Sequence, residues 1–376
     1  MIRSMDMLYH QYKLMAVISA CVICIGTTSK SHACSAFSLA DESISVTGKS
    51  YDWDIGHGLV IVNPRGLVKS FDFLGQGTDD TWISKYGSVT FNQYGRDLPQ
   101  SGMNEAGLVI EVLWLNETSF PPDDARKDLD VSRWIQYQFD TAASVDDVIT
   151  SFERIQIRSN ITVHYFISDR SGNAAIVEFV EGKRIIHSGN TLPVSAITNS
   201  TYVNSLEYLE TLIGSGSTHE PAAGPGSLNR FVRVAKGLKD FDGEEEPDPV
   251  VYAFDMLDEV KNPGYTQWQL VYDQKTMMIH YRTAGNPEIR KIDMEALQFD
   301  CSIPPGVLDI HASPDANGTL PWKAYTQAIN RALIDETYNE TPFLAATPDS
   351  IRALVAGYPD KAICKPEEHN TTPSGG

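Results

Sequence analysis

Apolar residues in the first part of the chain come in short runs rather than long periodic stretches. Residues 34–40 and 43–46 alternate weakly, and residues 59–62, 88–91 and 108–115 are rich in β-branched side chains. Such runs predict strands. The spacing becomes helical at residues 131–139 and 144–154, where Ser144 is a candidate N-cap with Asp147 three residues on. Strands are predicted again at 161–167, 174–179, 184–187 and 194–197, and helices at 203–213, 227–238 and 250–260. An antiparallel pair is expected at 268–272 and 277–281. Blocks of strands separated by pairs of helices predict an α+β protein, with helices covering two stacked sheets. The character changes at Cys301. Pro304, Pro305, Gly306 and Pro314 punctuate the chain there, and helical patterns follow at 322–334 and 349–356. We expect a domain over residues 34–300 and a C-terminal extension over 301–376, ending in a polar, disordered tail.

The N-terminus reads as a signal peptide over residues 1–33. Arg3 and Lys13 precede an apolar run at 14–26, and Ser31-His32-Ala33 forms a small-x-small cleavage pattern. The run is too short to span a bilayer comfortably, and no other segment approaches the length needed. The expected product is exported, either periplasmic or secreted, and begins at Cys34. A rival cleavage box, Ile18-Ser19-Ala20-Cys21, would make a lipoprotein that begins at Cys21 and leaves Cys34 without a free amine.

The formal net charge is −19. A surface so acidic repels nucleic acid and anionic membranes, so no nucleic-acid partner and no membrane insertion after signal removal are expected. A homo-oligomer is left open. Of the five cysteines, Cys21 and Cys24 fall in the signal. Export allows Cys301 and Cys364 to pair. Cys34 is left over, at the predicted mature terminus.

A thiol on the first residue has a base built in, because the free α-amine has a reference pKa near 8 and can take the thiol proton. The chemistry further needs charges to position the amine, donors for an oxyanion and a cavity for the acyl group. A hairpin after the first strand would bring Lys49 and Asp52 back beside residue 34. Asn199 ends a strand and can donate two hydrogen bonds. Arg230 opens a helix after Gly224-Pro225-Gly226, with Arg233 an alternative on the same helix. Each has a plainer reading: a turn cap for Asp52, a solvated charge for Lys49 or Arg230, a glycosylation sequon at Asn199-Ser200-Thr201. There is no His-Glu-x-x-His pair, no Cys/His zinc spacing, no Gly-x-Ser-x-Gly elbow and no dinucleotide loop, so neither metal nor cofactor is expected.

These residues carry a resemblance. The Cys34 start, Lys49-Ser50-Tyr51-Asp52-Trp53, Gly102-Met103-Asn104-Glu105-Ala106-Gly107-Leu108, Thr198-Asn199-Ser200, Asn229-Arg230-Phe231 and Tyr265-Thr266-Gln267-Trp268 resemble the choloylglycine hydrolase family in order and spacing. That family contains bile salt hydrolases and penicillin V acylases. The resemblance implies a four-layer αββα N-terminal-nucleophile fold. It also implies hydrolysis of a linear amide in a small-molecule acyl amide, through an acyl thioester on Cys34. Asp52 then matches the aspartate that holds the cysteine amine, Asn199 the asparagine associated with the oxyanion, and Arg230 the arginine of the catalytic group. Lys49 stands where the family usually has arginine, which keeps the charge and loses the bidentate fork. Trp114 stands where bile salt hydrolases place a side-chain amide. Together Trp53 and Trp114 resemble the aromatic pocket of Gram-negative penicillin V acylases. Substrates of the penicillin V, N-acyl homoserine lactone or conjugated bile acid kind are implied. An acyltransferase using the same acyl-enzyme, or a secreted ligand-binding protein that has lost catalysis, remain the alternatives.

Overall fold

A tight reversal after the first strand folds the chain back on itself. The Asp41 carboxylate accepts from the Ser43 and Ile44 amides at 2.6 and 2.7 Å, an Asx-type turn that fixes the hairpin. The computed structural model describes residues 34–73, 80–214, 224–243 and 248–365. The expected signal segment and the polar tail from 366 onward lie outside these residues.

In chain order the strands are β1 (Ser35–Ala40), β2 (Ser45–Asp52), β3 (Leu59–Asn63), β4 (Leu67–Ser70), β5 (Thr81–Ile83), β6 (Ser88–Asn92), β7 (Ser101–Asn104), β8 (Val109–Trp114) and β9 (Lys127–Leu129). Helices α1 (Val131–Thr141) and α2 (Val145–Ser151) follow, then β10 (Ile155–Ile157), β11 (Val163–Ser168), β12 (Ala174–Val180), β13 (Lys183–Ser188) and β14 (Ala196–Ile197). Next come helices α3 (Tyr202–Gly214), α4 (Ser227–Asp240) and α5 (Pro249–Glu259), and strands β15 (Thr266–Asp273), β16 (Met278–Thr283), β17 (Asn286–Asp293), β18 (Gly306–Asp309) and β19 (Lys323–Ala324). Helices α6 (Gln327–Glu340) and α7 (Asp349–Gly357) and strand β20 (Ile363–Cys364) close the described chain.

Two antiparallel sheets stack face to face. One has the order β14-β1-β2-β15-β16-β17, the other β13-β12-β11-β8-β7-β6-β3-β18-β19. Between them pack Trp268, Leu270, Tyr272, Ile279 and Tyr281 of the first sheet and Val60, Val89, Phe91, Met103, Val109 and Phe166 of the second. Phe37, Leu39 and Val271 belong to the same core as Phe231 and Val234 of α4 and Phe254 and Leu257 of α5, and α5 lies against β2 and β15. Trp134 and Ile135 of α1 and Val148 of α2 cover Ile110, Tyr165 and Val177 on the far face of the second sheet. The layers are α, β, β, α, as expected. Gly48 is required by this packing, since a Cβ there would meet the Phe37 ring at 2.5 Å.

The caps follow the sequence. Ser144 accepts from Asp147 N, Asp130 caps α1, and Asp248 with Pro249 starts α5. Past Cys301 the chain is not merely appended. β18 pairs with β3 and β19 with β18, so both join the larger sheet. The helix expected from residue 322 starts at Gln327, because Lys323 and Ala324 form the edge strand and Thr326 supplies the cap. The Cys301–Cys364 disulfide is formed, with Cα atoms 5.5 Å apart. No helix among the described residues is long and apolar enough to cross a membrane.

Candidate active site

Cys34 sits at the head of β1, buried, with its sulfur gripped by the end of the paired strand. Asp52 N donates to Sγ at 3.4 Å, and Sγ lies 3.7 Å from Asp52 O. Side chains alternate across a strand, so β2 delivers two sets. Lys49, opposite Ala36, points between the sheets, while Ser50 and Asp52 serve the side that α4 covers.

Asp52 Oδ1 accepts from Ser50 Oγ at 2.8 Å and from Thr266 Oγ1 at 2.6 Å. A bulge between Thr266 and Trp268 accompanies that aim and turns Gln267 Nε2 onto Trp53 O at 2.7 Å. Asp52 Oδ2 is buried and has no hydrogen-bond partner among the described residues. Burial pushes the Asp52 carboxyl up, against the opposing pull of Thr266, Arg230, Ser50 and Lys49.

Arg230, in the first turn of α4, is fully buried and makes a set of convergent bonds. It donates to the Cys34 carbonyl, to Ser35 Oγ at 2.6 Å, to Asn199 Oδ1 at 2.9 Å and, through Nε, to Pro225 O at 2.9 Å. Burial brings its guanidinium down to about 10. Arg233, the alternative on the same helix, instead binds the Glu259 and Gly224 carbonyls. Asn199 Nδ2 donates to Trp114 O at 2.8 Å, so its amide is oriented from both ends. The start of α3 just beyond it is fixed by Glu178, whose carboxylate accepts from Tyr202 N at 3.0 Å. Burial opposes charge on Glu178, but His164 Nδ1 at 3.0 Å, the His187 ring close by and the Tyr202 amide outweigh it and hold the carboxyl at about 2.

Lys49 Nζ donates to Val112 O at 2.7 Å and lies 3.9 Å from Glu111 Oε2, both side chains without exposed surface. Ser101 Oγ donates to the same carboxylate at 2.6 Å. Burial raises Glu111 to about 7 despite Lys49 and Ser101. Burial also raises the Cys34 thiol. Lys49 pulls it down, Asp52 pushes it up, and Arg230 pulls it down again. Lys49 therefore acts on the thiol through space and not by contact. Glu111 was not singled out from sequence, although one charged residue inside the β-branched run of β8 is the signal that could have found it.

The Trp53 and Trp114 rings lie 5.8 Å apart, tilted by 42°, and Tyr51 stacks on Trp268 at 4.1 Å. The structure thus gathers Cys34, Asp52, Asn199 and Arg230 directly, Lys49 behind them, and the two tryptophans beside Asn199. A groove of about 1170 Å³ between α3, α4 and the Ser38–Asp41 end of the first hairpin is lined by none of these residues. Among the described residues, His57, Glu336 and Glu340 bring potential ligand atoms within 4.8 Å of one another. Glu336 Oε1 lies 3.4 Å from His57 Nδ1 and Glu340 Oε2 lies 3.3 Å from His57 Nε2.

Two stacked antiparallel sheets between helical layers, with a buried cysteine heading β1, have the architecture of the N-terminal-nucleophile hydrolase fold. The chain belongs to one family of that class. A family model described as linear amide C-N hydrolases, choloylglycine hydrolase family, matches residues 34–305 and so begins at Cys34. The protein is therefore a hydrolase of linear amide C–N bonds. It is 28% identical over 300 residues to a penicillin V acylase of Pectobacterium atrosepticum, covering 68% of this chain and 78% of that one. The structure of penicillin V acylase from Agrobacterium tumefaciens is similar at 29% identity and a TM-score of 0.65, over 78% of this chain and 98% of that chain. A mutant of the conjugated bile acid hydrolase from Clostridium perfringens shares the fold, at 18% identity and a TM-score of 0.60, over 78% and 96% of the two chains.

Proposed function

We propose that the protein is an exported cysteine amidase, periplasmic or secreted, made active when removal of residues 1–33 frees the α-amine of Cys34. The observation that carries this reading is the buried, unpartnered Oδ2 of Asp52, in the residue whose backbone grips the Cys34 sulfur. A buried carboxylate oxygen without a donor is costly, and an ammonium on residue 34 would supply one.

In the proposed cycle the amine takes the thiol proton, and the thiolate attacks the carbonyl carbon of the amide. Asn199, locked by Arg230 and Trp114 O, turns its remaining amide N–H to the oxyanion. The tetrahedral intermediate collapses to a thioester on Cys34, and the leaving amine departs with the proton. Water, deprotonated by the same α-amine, then releases the acid and restores the thiol. Lys49 and Arg230 favour the thiolate against the burial that disfavours it.

The paired faces of Trp53 and Trp114 support aryl or long alkyl acyl groups. N-acyl compounds of the penicillin V, N-acyl homoserine lactone and conjugated bile acid kinds form the substrate panel. Intact-mass spectrometry of the exported protein, before and after incubation with that panel, tests the reading. A chain that starts at Cys34 and gains one acyl mass is expected. A different first residue, or undiminished turnover by Cys34→Ala, refutes it. Product analysis with added amine separates hydrolysis from acyl transfer.

A further inference from the structure

Loop 53–58 carries Trp53, has glycines at 56 and 58, and forms no regular structure. Such a loop keeps one shape only if its backbone is tied down. Part of the tying comes from the family core. Gln93 Nε2 donates to Ile55 O at 2.9 Å and to His57 O at 3.2 Å, Gln267 Nε2 donates to Trp53 O, and Trp53 N donates to Tyr265 O at 2.9 Å.

The rest comes from residues beyond 305, where the family match ends. Ile310 N donates to Gly58 O at 3.1 Å. His311 Nε2 lies 2.9 Å from Gly56 O, and a carbonyl only accepts, so that nitrogen donates, while Nδ1 lies 2.8 Å from Thr283 Oγ1. On α6, Glu336 and Glu340 stand one turn apart and straddle the His57 ring, at 3.4 Å from Nδ1 and 3.3 Å from Nε2. The Trp53 ring is held as well. Its indole hydrogen-bonds the Tyr94 hydroxyl, which also accepts from Thr341 Oγ1 at 3.4 Å, and Tyr94 meets Tyr338 edge to face at 6.3 Å.

We propose that the segment after residue 305 is a second brace for the acyl-pocket wall, in which His311, Glu336, Tyr338 and Glu340 hold loop 53–58 and thereby set acyl selectivity. This rests on the reading of Trp53 as a wall of the pocket. The two glutamates act as positioning residues, since they touch the loop and not the reacting atoms. Their contacts with His57 are half exposed, so they contribute little to overall stability. Helix α6 has other anchors. Asn330 Oδ1 accepts from Arg96 N at 2.8 Å, Asn330 Nδ2 donates to Ala356 O at 3.1 Å, and Leu333 and Ile334 are buried. Removing the glutamates therefore loosens the loop while the helix stays in place.

The test compares phenoxyacetyl and butyryl amides of one amine, using the mature full-length enzyme, the double variant Glu336→Ala/Glu340→Ala, and Trp53→Ala. The double variant is expected to lose about five-fold in the ratio of kcat/KM values, through KM for the phenoxyacetyl amide, with kcat retained. Its thermal midpoint should stay within about 2 °C of the parent. An unchanged ratio in the double variant, with Trp53→Ala shifted, overturns the brace and leaves the pocket reading standing. An unchanged ratio in Trp53→Ala overturns the pocket reading and the brace together.

Discussion

Glu111 has no exposed surface, and burial raises its carboxyl from the usual 4.5 to about 7 against the pull of Lys49 and Ser101. Released into the unfolded chain, it returns to the ordinary carboxylate range. Between those two values the folded protein holds a proton that the unfolded chain has already lost. The contribution to stability is therefore complete below about pH 4.5 and is lost as pH rises through about 7. At about 1.4 kcal/mol for each pH unit of separation, Glu111 makes the protein about 3 kcal/mol less stable above that window than below it. Glu111→Gln keeps the shape and an acceptor for Ser101 Oγ but cannot titrate. Other groups, Glu178 among them, titrate alike in both proteins and cancel in the difference. Urea unfolding of parent and variant, followed by tryptophan fluorescence from about pH 4.5 to about 8, measures that difference. It should fall with rising pH by about 3 kcal/mol, with the parent losing ground. Parallel curves, differing by a constant, would mean that Glu111 is charged throughout, and the reasoning fails.

Three further outcomes follow from the same geometry. Asp52→Asn removes a negative charge that raises the Cys34 thiol, so alkylation of Cys34 by iodoacetamide should move to lower pH. Turnover by that variant should nevertheless fall about 100-fold or more, because the proposed α-amine loses its partner. Lys49→Met should move the alkylation profile the opposite way, since the Lys49 charge is the leading influence pulling the thiol down. Replacing Cys301 and Cys364 by serine opens a link between residues 63 positions apart. Urea unfolding should show a loss of about 4 kcal/mol on the chain-entropy account.

The hairpin that builds the site was legible because its pieces are local. Asp41 and Ser43 mark a turn, and a strand on each side brings Lys49 and Asp52 back to Cys34. The Ser144 cap and helices α3 to α5 were legible for the same reason, with ends within a few residues of those predicted. Short strands such as Thr81–Ile83 and Ser101–Asn104 were not read, since three or four residues carry little pattern and their partners lie elsewhere in the chain. Glu111 stood in plain view in the sequence, but its character comes from burial between the two sheets, which no spacing along the chain reveals. The brace formed by His311 and α6 is likewise a product of β18 joining β3, a pairing across more than half the chain.

Buried charge alone does not mark a catalytic site, and this protein holds its own control. Lys69, Asp97 and Asp140 form a second buried ionic group, with Lys69 Nζ at 3.0 Å from Asp97 and 2.9 Å from Asp140. Trp82 Nε1 and Gln136 Nε2 supply further donors to Asp140, so each carboxylate there is met. That group joins β4, α1 and the turn at Asp97, and a structural role accounts for it. The group around Cys34 differs: among the described residues, Asp52 Oδ2 is buried and unmet, and so is Glu111 Oε1 behind it. A fold that satisfies two acids with a lysine, an indole and an amide elsewhere has the means to satisfy Asp52. An open oxygen on Asp52, beside a thiol, an arginine and an oriented amide, is what the proposed nucleophile with its own amine calls for.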